Sequence, residues 1–133
     1  MGTGQTYAPD AAAFERLAEA AIARMPDNFR RHLANVVLRI EEFADDEVLA
    51  SLGIEDPFDL SGLYSGRSLD RQDSWISGEL PSMIHLYRRP LLDEWVETGV
   101  SLEDLITHVI VHEAGHHFGF SDEEMHAIEE QAG

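Results

Sequence analysis

The sequence predicts an α+β domain, and three observations carry that prediction. Apolar residues recur at helical spacing in segments towards both ends of the chain. Two short runs read as β-strands, and clusters of Gly, Pro, Ser and Asp separate the elements. With 133 residues the chain has the size of a single core, expected over residues 10–133 behind a flexible leader at 1–9.

Asp10 is placed to cap a first helix, in which Phe14, Leu17, Ala21 and Ile22 share a face before Pro26. Asn28 to Ala34 predict a further helical turn or two. Val36 to Phe43, β-branched and partly alternating, read as a strand. Asp45 to Leu52 form a short amphipathic stretch closed by Gly53. From Ile54 to Gly78 the chain is rich in Gly, Ser, Asp and Pro. Within it Leu60 to Tyr64 offer a short strand, and the loop through Trp75 is a candidate lid. Met83 to Tyr87 are the second clear strand. A helix is expected from Pro90 through Val96, stopped at Gly99. Ser101 with Asp104 caps a long helix reaching Phe118, and Ser121 with Glu124 repeats that signature for a last helix from Asp122 to about Gln131.

The long helix carries His112-Glu113-Ala114-Gly115-His116, an H-E-x-x-H run. Positions i and i+4 lie one above the other on a helix, so two imidazoles at this spacing can share one metal ion while Glu113 lies beside them. The run continues to H-E-x-x-H-x-x-G-x-x-D through Gly119 and Asp122, a string rarer by about two orders of magnitude on ordinary residue usage. The extension has a physical reason. The helix cannot itself bring a third ligand to the same ion, so the chain has to turn back, and Gly119 tolerates the positive φ such a turn needs. Asp122 then offers a carboxylate. His112, His116 and Asp122 would fill three zinc positions and leave the fourth open, the pattern of a catalytic site. Glu113 is the candidate general base for metal-assisted hydrolysis of an amide bond.

Other residues near the motif have quieter readings. Asp122 competes with a helix-capping role, and His126 and Glu129 are the lesser candidates for third ligand. His117 points about 100° away from His116 and suits the rim. His108 borders the site, with a neutral, packed histidine as the simpler expectation. Gly115 lets a neighbouring element approach the helix. Met125 lies too close behind Asp122 to count as a methionine turn of the metzincin kind.

The run from His112 to Asp122 resembles that of the minimal zincins, small bacterial zinc metallopeptidases. Gly62-Leu63-Tyr64 and Ile84-His-Leu-Tyr-Arg-Arg-Pro90 are similar to recurring segments of the same family, so the likeness spans about Phe14 to Met125. The resemblance implies an α+β minimal zincin-like fold, with a small mixed β-sheet packed on an active-site helix. It implies one Zn2+ per chain held by the two His and the Asp, with the Glu as base. It also implies a peptide or protein substrate lying along an edge strand, for which Met83 to Tyr87 are the candidate.

Asp and Glu number 26 against nine basic residues, all arginine, a formal net charge of −17. Such a surface repels nucleic acid and anionic membrane, so neither is an expected partner. No cysteine is present, which removes disulfides and thiolate ligands, and no long apolar run or basic leader suggests membrane or export. A cytoplasmic address is the default expectation. Two other functions compete with a zinc metallopeptidase: a non-catalytic zinc-stabilised protein-binding module, and a zinc-dependent endoribonuclease. Glu113 opposes both, and the acidic charge opposes the second.

Overall fold

The computed structural model describes residues 7–65 and 82–132, so Met1 to Thr6 and the expected lid around Trp75 lie outside the described residues. Asp10 caps helix α1 (Ala11–Ala23) by accepting the Ala13 N–H at 2.9 Å. Phe14, Ala18 and Ala21 are buried at helical spacing, with Leu17 and Ile22 flanking them. Helix α2 (Asp27–Leu33) follows Pro26 and buries Phe29 and Leu33. Strand β1 (Val37–Glu41) is shorter than its apolar run. Val36 closes the preceding turn by donating to the Leu33 carbonyl, and Phe43 turns away to meet Phe58 edge-on. Helix α3 (Asp46–Ser51) and a single 3-10 turn at Pro57–Asp59 lead to strand β2 (Gly62–Ser65).

Strand β3 (Met83–Tyr87) matches its prediction in extent but not in role. It is the central strand of a sheet ordered β1-β3-β2, parallel to β1 and antiparallel to β2. Its backbone is engaged on both sides, so the expectation of an edge strand open to substrate is corrected. Among the described residues, the edge strand beside the long helix is β2. Helix α4 (Arg88–Thr98) starts directly at Arg88, two residues earlier than expected, since Pro90 still falls in the first turn where its missing N–H costs nothing.

Helix α5 (Leu102–Gly115) runs through the core. Ser101 caps it, its hydroxyl accepting the Asp104 N–H at 3.1 Å. Leu105, Ile106, Val109 and Ile110 join Ile84, Leu86, Tyr64 and Phe14 in the main core, so α5 packs against α1, α4, β2 and β3. The opposite face of the sheet carries His85 and Tyr87, as the alternation of a strand requires. There Tyr87 joins Ala44 and Leu49 in a second, smaller cluster. Helix α6 (Asp122–Ala132) docks on α5 through Met125, Ile128 and Ala132. The Arg24 Nε donates to the Ala132 carbonyl at 2.7 Å and ties α6 to the end of α1. Among the described residues, no helix is long and apolar enough to cross a membrane.

Candidate metal centre

The end of α5 and the start of α6 build the site. Helical hydrogen bonding runs past Gly115 to Phe118, whose N–H donates to Ala114. The chain then leaves the helix through Gly119 at φ +85°, with Phe120 N–H bonding the Gly115 carbonyl and Gly119 N–H bonding that of His116. This pair of bonds is a Schellman ending, which places a left-handed residue where glycine is least strained. The expected turn therefore sits at the expected residue. Gly115 meets its expectation too, because a Cβ there would lie 2.4 Å from the Met125 sulfur and 2.9 Å from its Cγ, so α6 can approach α5 only over a glycine. Met125 is fully buried in that contact.

The cap of α6 bears directly on Asp122. Ser121 Oγ accepts the Glu124 N–H at 3.1 Å while Glu124 Oε1 accepts the Ser121 N–H at 2.7 Å. This reciprocal capping box belongs to Ser121 and Glu124. Asp122, the first helical residue and exposed, does not serve as the cap.

Among the described residues, the group whose donor atoms lie together is His108, His112 and Glu129, all within 4.8 Å of one another. Glu129 Oε1 lies 2.9 Å from His108 Nδ1, and Oε2 lies 2.5 Å from His112 Nε2. The two rings stack with centroids 4.1 Å apart. His112 is thus where the motif places it, half-buried on α5. His116 is exposed at the helix end, and neither it nor Asp122 enters this group. His108 is exposed and bonded to Glu129, in place of the packed histidine expected. Glu129, ranked below Asp122 in the sequence, proves to be the carboxylate on His112. The signal that could have found it is the spacing of α6, on which Met125, Ile128 and Ala132 are buried and Glu129 lies beside that face. His117 stacks on Tyr64 with centroids 4.3 Å apart, in keeping with a rim role.

Glu113 is half-buried between the histidines. Burial pushes its carboxyl above the ordinary range, and His116, His112 and His108 pull it the other way. Imidazole and carboxylate donors suit zinc, so the chemistry of the residues gathered here fits that ion.

A further constellation crosses the far face of the sheet. His85 Nε2 lies 3.0 Å from Ser65 Oγ and its Nδ1 lies 2.7 Å from Glu41 Oε1, linking β1, β2 and β3. Alternation in β3 is the signal that sets His85 opposite Ile84 and Leu86, but its partners depend on a strand order the sequence does not express.

No curated protein matches the chain. A family model does, over residues 33–132, a stretch that takes in β1, β2, β3, α5 and α6, and the chain belongs to the family that it describes, the zincin-like metallopeptidases.

Proposed function

We propose that the protein is a zinc-dependent peptidase, with His112, His116 and Asp122 holding the ion and Glu113 acting as general base. The observation that carries this reading is the half-buried Glu113 carboxylate, flanked by histidines on the helix whose family match implies zinc. A base works best when its affinity for protons is near the working pH, and partial burial moves a carboxyl in that direction. When bound, zinc would supply Lewis-acid polarisation of the scissile carbonyl and a lowered pKa for water. Glu113 takes a proton from the attacking water and returns it to the leaving amine. Capping by Ser121 and Glu124 supports the ligand role of Asp122, because the competing use of its carboxylate is already filled.

A peptide substrate would lie in extended form along β2, an edge strand among the described residues, which packs on α5 through Gly62 and Val109. Backbone hydrogen bonds would then hold it regardless of sequence, with Tyr64 and His117 near the path. The test is Glu113→Gln, assayed with a peptide library on zinc-reconstituted protein. Zinc content should stay at the wild-type level while turnover falls by at least about two orders of magnitude. Unchanged turnover would remove Glu113 from the mechanism.

A further inference from the structure

We propose that His108, His112 and Glu129 form a second binding position for a divalent ion of the zinc class, an alternative to the motif donors that shares His112 with them. The proposal rests on the reading above only in assuming that His112, His116 and Asp122 hold the catalytic ion. Its own ground is geometric. His108 and His112 stand one helical turn apart on α5, and α6 brings a single carboxylate to both of them, at 2.9 and 2.5 Å. Two imidazoles and a carboxylate with donor atoms inside 4.8 Å are a zinc donor set with room for solvent or a further ligand. Each contact between an imidazole and Glu129 is a hydrogen bond with one proton between its two atoms. A cation would replace those protons while keeping the same atoms facing one another.

The surroundings favour a cation. A hollow lined by Asp104, Thr107, His126, Glu129 and Glu130 opens beside the group, and three of those five residues are acidic. Asp104 lies one turn before His108, so a carboxylate continues the stripe of donors along α5. The side chains of His108, His112 and Glu129 keep 56%, 30% and 21% of their exposure, so an ion can reach them from solvent without any rearrangement of the core.

Sharing His112 has a consequence. A neutral imidazole has one lone pair to give, so His112 serves one donor set at a time. An ion held by His108, His112 and Glu129 leaves the motif with two of its three donors. The chain would then carry one ion that can reside in a storage position or beside Glu113. Glu129 and His108 set the balance between the two.

Zinc per chain, measured by elemental mass spectrometry, and affinity, measured by chelator competition, distinguish the cases. The proteins are the full chain, His116→Ala, Glu129→Ala and the double variant, each checked for helix content. Each single variant should keep about one zinc, with roughly tenfold to a hundredfold weaker binding in His116→Ala, and the double variant should fall below about a tenth of a zinc. Loss of zinc in His116→Ala alone would overturn the second position and leave the motif reading intact. Loss in Glu129→Ala alone would overturn the sharing of His112, and the motif ligands with it. A double variant that keeps its zinc would also overturn the proposal. His108→Ala in place of Glu129→Ala repeats the test on the other element, so that a folding defect in one variant does not decide it.

Discussion

Histidine meets glutamate on either side of this small sheet, to different ends. On the far face, His85 has each ring nitrogen beside its own protein partner, Ser65 at 3.0 Å and Glu41 at 2.7 Å, and the three groups are strung out across three strands. On the helix side, His108 and His112 turn towards one carboxylate, and their donor atoms converge on a single region. A histidine bonded to a glutamate is common to both and does not separate them. Convergence does: a line of satisfied hydrogen bonds staples strands together, while a focus of acceptors invites a cation.

The sharpest way to break this comparison is to remove one histidine from each side. His112→Ala deletes a donor from both proposed metal positions and should weaken zinc binding by about a hundredfold or more. His85→Ala should leave zinc binding unchanged and cost about 1–2 kcal/mol of stability, the worth of two partly buried hydrogen bonds. Chelator competition and chemical denaturation on both proteins check this. A loss of zinc in His85→Ala would mean the two clusters are coupled.

Next in size is the contact that brings the carboxylate to the helix. Gly115→Ala places a methyl against the buried Met125 side chain and should cost about 1–3 kcal/mol, with α6 pushed outward. Because Glu129 rides on α6, zinc affinity should fall along with stability in this variant, whereas in His85→Ala stability should fall alone.

The smallest effect concerns the residue that senses both sides. Tyr87 stacks on His85 with centroids 6.2 Å apart, and its phenol is pushed up to about 12 by burial first, then by the carboxylates of Glu41, Asp45 and Glu113. Its folded-state value lies above the ordinary 10.0, so its contribution to stability is complete below that pH and is lost as pH climbs towards about 12. Tyr87→Phe should therefore flatten the alkaline edge of the stability profile in denaturation experiments run across that window.

Much of this arrangement was legible in the chain. Caps at Asp10, Ser101 and Ser121 located the helix starts, and Gly119 located the turn, because each depends on residues within a few positions of one another. The HExxH helix was legible for the same reason. What could not be read was long-range. The placing of β3 between its neighbours depends on pairing with residues far away in sequence, and β-strand patterns do not encode order. Likewise, Glu129 reaches His112 only because Gly115 lets α6 settle at one particular height on α5. A periodic pattern names the buried face of α6 but not its register against a partner. His108 is exposed where a packed histidine is expected, since a histidine one turn from a buried stripe looks the same from sequence on either side of that boundary.

The parallel pairing of β1 with β3 also divides the molecule by how far its contacts reach along the chain. Those strands are joined through residues 42–82, so a long loop has to close before any bond between them forms. Helices α5 and α6 meet across residues 116–121, and all the residues discussed as metal donors lie on this one hairpin or in its turn. The chemistry therefore belongs to a segment whose two helices meet over a short connection, at a smaller chain-entropy cost than the pairing of β1 with β3.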